Sequence, residues 1–237
     1  MSLLNSLNQQ TGHDDAIIVS LLKPKKGKYQ IRYTPTGVYL HKLDQNGQCS
    51  DQLIFIRDED IIAVNTAKTT KNILIIYALN QKRDRTKFYI FMGDEEEISE
   101  FLQKLRKVLS LPSKSRHIAV LLNPIGGKKI AKKLFRKCLK PMLKRVGIKF
   151  DYFETDSAEY IDHWVQKTDI RKYSEVVCVG GDGLVNQYLN AIYLQPSNLD
   201  LLKIPIGIIP AGSQNALACS LSGKNPMCAA ANIIRQR

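Results

Sequence analysis

The sequence predicts two modules of different class in one chain of 237 residues. The first is an α+β module of short strands closed by one helix, and the second an α/β module built on a parallel sheet. Three observations predict this. Between Ala16 and Met92, short runs rich in β-branched and aromatic residues are separated by turn signals such as Pro35-Thr36-Gly37 and Asn46-Gly47. After residue 113, apolar runs alternate with stretches of helical periodicity. Between the two, Leu111-Pro112-Ser113-Lys114-Ser115 joins a helix-stopping proline to small polar residues that need no core, so we divide the chain into domains 1–112 and 113–237.

In the first domain seven strands are expected: Ala16 to Leu22, Tyr29 to Tyr33, Val38 to Leu43, Leu53 to Ile56, Ile61 to Val64, Ile73 to Leu79 and Lys87 to Met92. Asp94 then caps a helix whose first turn holds three glutamates and whose last turn holds Lys104, Arg106 and Lys107, matching both ends of the helix dipole. Ile98, Phe101, Leu102, Leu105 and Val108 give that helix one apolar face. Seven strands closed by one helix resemble a pleckstrin-homology-like fold, which implies a β-barrel plus a C-terminal helix. The loop Lys23-Pro24-Lys25-Lys26-Gly27-Lys28 is basic, as in phosphoinositide-binding versions, but the K/R-x-R expected next is incomplete, with Gln30 before Arg32. Phosphoinositide binding, a generic basic turn and protein docking all stay open for it. A modest, salt-sensitive affinity for anionic membranes is expected there.

In the second domain the expected strands are His117–Leu122, Ile148–Phe153, Val176–Val179 and Ile204–Ile209. The expected helices lie over 127–145, near Ala158–Lys167, over 184–194 and from Ser213. Three glycine-rich turns stand at strand-to-helix junctions: Asn123-Pro124-Ile125-Gly126-Gly127-Lys128, Gly180-Gly181-Asp182-Gly183 and Pro210-Ala211-Gly212-Ser213-Gln214-Asn215. Each is expected to present free backbone N–H groups at a helix N-terminus, a ready site for phosphate. Neither the first nor the third has the GxxxxGK[ST] spacing of a Walker A loop or the GxGxxG dinucleotide fingerprint. Asp182 reads as a single acid on a tight turn at a strand's carboxyl end, where open α/β sheets place ligands. Lys128 and Lys129 could reach a phosphate or simply begin a basic face. His117, His163 and Tyr188 read as packing or surface residues.

These motifs, in this order, resemble the diacylglycerol-kinase-type catalytic domain, with the sphingosine kinase branch the nearest match, over roughly residues 116–234. The resemblance implies an ATP-dependent lipid kinase that uses Mg2+ and phosphorylates a hydroxyl of a sphingoid base or related lipid, ceramide and diacylglycerol remaining open. It implies that Asn123, Pro124, Ile125, Gly126 and Gly127 border the ATP phosphates, with Thr155 in the nucleotide pocket. It implies that Gly180, Gly181, Asp182 and Gly183 line the acceptor side, Asp182 acting as the catalytic acid/base. It implies that Gly212, Ser213 and Gln214 hold the nucleotide from the other side. Gln187 stands where the family usually has Glu, and Gln214 where sphingosine kinases usually have Gly. The family continues into a β-rich second lobe, which is not recognised before Arg237. The rival expectation is therefore a weakly active or inactive homologue that serves as a lipid- or protein-binding module.

Charge supports an anionic partner. Residues 116–237 carry 18 Lys/Arg against 9 Asp/Glu, and ten of those basic residues, with no acid, fall between 128 and 149. An anionic membrane is favoured over nucleic acid, because no aromatic-basic interleaving or reading-helix motif is present. Five scattered cysteines (Cys49, Cys138, Cys178, Cys219, Cys228) show no metal-ligand spacing, so neither disulfides nor structural zinc is expected. No residues are singled out for Mg2+. The first ten residues lack the basic and apolar regions of a secretory signal, and no apolar run is long enough to span a bilayer, so a cytosolic protein in peripheral contact with membranes is expected.

Overall fold

The computed structural model describes residues 17–67, 70–80, 85–109, 116–157 and 159–236. The expected linker at 111–115 and the N-terminal segment lie outside the described residues. The chain divides into two compact units, Met1–Asn80 with Thr86–Leu111 and Gln81–Arg85 with Pro112–Arg237.

The first unit is an antiparallel sheet of seven strands: β1 (Ile17–Lys23), β2 (Gly27–Thr34), β3 (Gly37–Leu43), β4 (Cys49–Arg57), β5 (Ile61–Thr66), β6 (Ile73–Asn80) and β7 (Arg85–Met92). Each coincides with an expected strand to within a few residues, because alternation of side chains is a local signal. The order is β4-β3-β2-β1-β7-β6-β5, so the two edge strands are consecutive in the chain. Only the 3-10 turn Asp58–Asp60 joins them, and it touches both β3 and β6. The sheet must therefore curl until its edges meet at that corner. Among the described residues no ladder joins β4 to β5, so the expected barrel is not closed. Helix α1 (Glu95–Leu109) packs on β1, β5 and β6, with Ile98, Phe101, Leu102, Leu105 and Leu109 in the same core as Leu21, Ile31, Leu40 and Phe91. Its cap is as expected: Asp94 Oδ1 accepts from the N–H of Glu96 at 2.8 Å and of Glu97 at 3.2 Å. Val108, expected on the apolar face, is exposed.

The second unit is a parallel sheet of β8 (His117–Leu122), β9 (Lys149–Glu154), β10 (Glu175–Gly180) and β11 (Ile206–Pro210), in the order β11-β10-β8-β9. The chain steps outward from β8 to β9 and then crosses back to β10, so the order reverses between β8 and β10. That is the switch point where open α/β sheets bind ligands, beyond the carboxyl ends of the strands. Val176, Val177, Cys178 and Val179 are all fully buried, as in a parallel strand covered on both faces. Burial pushes the Cys178 thiol up to about 12, so it is an inert core group.

The helices depart from expectation at their starts. The helix expected over 127–145 begins at Ala131 and runs to Val146 as α2, with a π turn at Phe135–Leu139. Pro141 has no N–H to give to residue 137, and the π turn just before it, closed by Lys140 N–H to Phe135 O, absorbs that lost bond. Next come α3 (Tyr160–Lys167) and α4 (Asp182–Tyr193). The helix expected from Ser213 is two helices, α5 (Ala216–Ser222) and α6 (Pro226–Arg235). Tyr188 on α4 is a core residue, fully buried beside Trp164, and His163 is surface-exposed. No described helix is long and apolar enough to cross a membrane.

The amino edge of this sheet is locked by a buried ion pair. Arg116 donates to the Glu175 carboxylate and also to the carbonyls of Ile234 (2.6 Å) and Ile233 (3.0 Å) in the last turn of α6. Desolvation of Glu175, partly offset by Arg116, raises its carboxyl above the usual range. Breaking such a pair strands a charge in the core, at a cost of about 3–5 kcal/mol. Arg116→Met should therefore lower the unfolding free energy by about that much in urea titrations, and Glu175→Leu added to it should restore part of the loss. The Tyr188 hydroxyl has no hydrogen-bond partner among the described residues. Tyr188→Phe should leave stability unchanged or raise it by about 1 kcal/mol in the same assay, because it removes an unsatisfied buried group.

Candidate functional site

Four strands deliver their carboxyl ends side by side, and short hydrogen bonds extend the sheet into the loops. Thr155 N–H donates to Leu122 O (2.8 Å), Asn123 N–H to Val179 O (3.2 Å) and Ala211 N–H to Gly180 O (2.9 Å). The candidate residues Asn123, Thr155, Gly180 to Gly183 and Gly212 to Gln214 thus lie along one edge. Thr155 is buried, whereas Ile125, Ser213 and Gln214 are exposed.

The first loop folds around its own asparagine. Asn123 Oδ1 accepts from Ile125 N–H (3.1 Å) and Gly126 N–H (2.8 Å). Those two groups are therefore not available to a ligand, and the helix starts later than expected because the chain first makes this side-chain turn. Gly127 and Lys129 follow with left-handed backbones, φ +56° each. The third loop is clamped in the same way. Asn215, itself left-handed at φ 56°, accepts from Gly212 N–H (2.7 Å) and donates to Gly212 O (2.9 Å). Sequence reasoning gave Asn215 no role. The usable signal is that asparagine is the non-glycine residue best suited to a left-handed junction before a helix.

The loops then meet backbone to backbone. A Cβ on Gly127 would lie 2.7 Å from Gly212 Cα, and one on Gly212 would lie 2.4 Å from Gly181 Cα. Around this contact, the N–H groups of Gly127, Lys128, Gly181, Asp182, Gly183, Ser213, Gln214 and Asn215 have no acceptor within the described chain. Unpaired N–H groups in such loops, with a helix N-terminus among them, are the kind of donors that anions accept from.

Asp182 is not on a free turn. It is the first residue of α4, with Gly181 as its N-cap, and its carboxylate crosses to another helix: Oδ2 accepts from Ala216 N–H (2.8 Å) and Oδ1 from Leu217 N–H (3.1 Å). The side chain therefore caps α5. Each carboxylate oxygen has more than one lone pair, so both can still meet a donor from outside. Gln187 is exposed on α4 and lies about 140° around the helix from Asp182, so it does not share that residue's face. Lys128 and Lys129 are exposed beside the first loop.

The matches to known proteins cover this same region. Residues 117–237 match the model of the diacylglycerol kinase catalytic domain. The chain belongs to the diacylglycerol kinase catalytic domain family. It is 34% identical over 118 residues to sphingosine kinase 2 of Arabidopsis thaliana, covering 50% of this chain and 24% of that protein. It is 32% identical over 160 residues to sphingosine kinase B of Dictyostelium discoideum, covering 65% of this chain and 21% of that protein. It is 31% identical over 146 residues to ceramide kinase of Mus musculus, covering 56% and 28%. The chain thus spans 21% to 28% of the length of these three relatives. A diacylglycerol kinase structure from Bacillus anthracis str. Sterne superposes with a TM-score of 0.43 at 22% identity, over 53% of this chain and 42% of that one.

A hollow of about 580 Å³ lies elsewhere, beside edge strand β9, and is lined by Asp151, Tyr152, Lys172 and Tyr173 among others. There Tyr173 donates to Asp151 (2.6 Å), and His117 Nε2 lies 3.2 Å from the same carboxylate. The bond from Tyr173 is the main cause holding the Asp151 carboxyl below the usual range. This cluster touches none of the glycine loops' candidate residues.

Backbone contact at the loops makes a sharp test possible. Gly212→Ala should destabilise the second unit by at least about 1 kcal/mol, because the clash is with backbone that cannot turn aside. Gly183→Ala, where a Cβ meets nothing within 4 Å, should cost much less. Paired urea melts of the two variants would show it, and equal losses would mean that the loop contact is not tight.

Proposed function

We propose that the second unit is the nucleotide-binding part of a lipid kinase that transfers the γ-phosphate of ATP to a hydroxyl of a sphingoid base or related lipid. The observation that carries this reading is the set of unpaired N–H groups around one carboxylate at the switch point of the sheet. Family membership and the names of the relatives support the substrate class. The free N–H groups fit the oxyanions of a nucleotide phosphate. Magnesium ion is normally held by one or two carboxylates with phosphate oxygens and water. The three glycine loops offer Asp182 alone, and no group of three or more His, Cys, Asp or Glu among the described residues could cage a metal. The ion would supply charge neutralisation on the phosphates, which themselves would furnish most of its ligands.

The chain's own contribution is positioning and proton transfer. Gly127, Gly181 and Gly212 let the loop backbones close on the phosphates. The two N–H groups of α5 hold the Asp182 carboxylate in one orientation. A free lone pair of that carboxylate accepts the proton of the substrate hydroxyl as its oxygen attacks the γ-phosphorus and ADP leaves. Asn123, Pro124, Ile125, Gly126, Thr155, Ser213, Gln214 and Gln187 are proposed as the nucleotide's surroundings, with Gly180 and Gly183 on the acceptor side. Gln187 lacks the carboxylate usual at its position and Gln214 adds a side chain where glycine is usual, and both are exposed, so neither blocks the loop contact.

The cap on α5 favours a second reading, in which Asp182 is structural and the loops bind a ligand without turnover. Asp182→Asn separates the two. Asparagine keeps one accepting oxygen, so the variant should fold with a loss of about 1 kcal/mol or less and retain ATP binding. Lipid phosphorylation, measured as ATP-dependent phosphate incorporation into sphingosine, ceramide and diacylglycerol, should fall by roughly 10²–10⁴-fold. Undiminished turnover in the folded variant would assign Asp182 to the cap alone.

For the first unit we propose a pleckstrin-homology-like module. Its basic loop contributes Lys25, Lys26 and Lys28 to the surface, while Lys23 folds back with its ammonium 5.0 Å from the Tyr29 ring and 5.5 Å from Phe91. Desolvation, then repulsion from Lys26 and Lys87, lowers the Lys23 pKa. Three lysines of that loop, not four, are thus free for anionic lipid.

A further inference from the structure

We propose that the outer face of α2 is a docking surface for anionic lipid bilayers, distinct from the phosphate loops and from the basic loop of the first unit. The inner face of α2 is fully used. Ala131, Phe135, Cys138, Leu139, Met142, Leu143 and Val146 are buried, and the Phe135 ring stacks on Tyr152 at 4.7 Å and meets Phe150 edge-on at 5.9 Å. The outer face carries Lys132, Lys133, Arg136, Lys137, Lys144 and Arg145, all exposed. The nearby carboxylate of Glu154 is already engaged, by Lys132 at 2.5 Å and by the Tyr152 hydroxyl at 2.9 Å. No carboxylate among the described residues pairs with Lys133, Lys137 or Lys144, while Arg136 lies near enough to Glu154 to help hold its carboxyl below the usual range.

This helix is built against its own local stability. Lys133 and Lys137, and Lys140 and Lys144, are like charges four residues apart, an arrangement that repels on a helix. Lys132 and Lys133 sit in the first turn, where the helix dipole favours acids, and no acid is present there. The N-cap, Ile130, supplies no capping side chain. Glutamate at position 133 or 137 would help the helix and still face water, so packing does not call for lysine there. Local rules broken together, with Lys132 offset by Glu154 but Lys133 and Lys137 paired to no carboxylate among the described residues, mark a surface shaped for a partner.

That partner is a polyanion, and the face selects a bilayer. The outward groups of the helix are cations, and the exposed ring beside them, Tyr152, is already stacked on Phe135 with its hydroxyl bound to Glu154, so it is not free to stack on a base. They lie along one side of a helix of about 24 Å, a row that can meet a flat charged sheet at once. The choice of bilayer over other polyanions rests on the lipid-kinase reading, since such an enzyme meets its substrate at a membrane. Each basic group near an anionic bilayer adds roughly fivefold to binding. The row begins next to the first phosphate loop, so docking would hold that loop close to the lipid surface.

The test is co-sedimentation of the full chain with vesicles, without nucleotide or substrate lipid, so that it succeeds or fails independently of turnover. Vesicles of phosphatidylcholine alone are compared with vesicles that also contain phosphatidylserine, at low and high salt. Wild-type protein should bind the phosphatidylserine vesicles, and salt should weaken that binding. The triple variant Lys133→Gln, Lys137→Gln and Lys144→Gln should bind them roughly 100-fold more weakly. Its melting temperature should be unchanged or higher, because like charges are relieved. In contrast, Lys25→Gln, Lys26→Gln and Lys28→Gln in the first unit should lose less. Equal binding to both vesicle types, or a triple variant that binds as well as wild type, would overturn the proposal. So would a folded wild type that prefers duplex DNA to the anionic vesicles and loses that preference in the triple variant, which would make the partner a nucleic acid.

Discussion

The second unit depends on a contact that has no side chains in it. Gly127, Gly181 and Gly212 come from three loops that follow three different strands, and their backbones touch where any Cβ would collide. Everything at the carboxyl edge follows from that approach. The loops converge only because β8 and β10 are neighbours at the reversal of the strand order, with β11 beside them. They leave their N–H groups unpaired because backbone, not side chain, fills the centre. Asn123 and Asn215 then act as struts, Asn123 holding the turn that leads into Gly127 and Asn215 clamping Gly212 from both sides.

The two edges of the sheet have opposite designs. At the amino edge, Arg116 ties β10 to the last turn of α6, donating to the Ile234 carbonyl and adding a second donor to that of Ile233. At the carboxyl edge, the N–H groups of several loop residues find no acceptor among the described residues. A fold tolerates that deficit only where solvent or a ligand can supply acceptors, and burial elsewhere carries the stability. Asp182 stands between the two demands. It is the one carboxylate of the loops and it also starts α5 by capping it from a distance, so any chemistry it performs is coupled to the order of the helix after the third loop.

Surface charge follows the same division. The helix that packs on β9 and β10 is apolar inside and cationic outside, with no intervening acid. In the first unit, by contrast, the basic loop loses one lysine to a cluster of aromatic rings. Counting lysines in a sequence overstates one surface and describes the other correctly, because only the fold decides which side chains turn back onto the protein.

Periodicity was enough to read the seven strands of the first unit, α1 with its Asp94 cap, and the four parallel strands of the second. In these, the signal lies in side chains within about ten residues of each other. Composition at the strand ends was enough to pick out the three glycine loops and the family. Tertiary structure alone decided the rest. The edges of the first sheet meet at one short turn without closing a barrel, because strand order is a long-range property. The helix after the first loop starts at Ala131 because Asn123 takes the N–H groups that a helix start would have left open. Asp182 caps a helix 34 and 35 residues further on, and Arg116 holds carbonyls 117 and 118 residues away. Such partners share no local pattern with the residues they serve. Only packing brings them within hydrogen-bonding distance, and so only the folded chain reveals them.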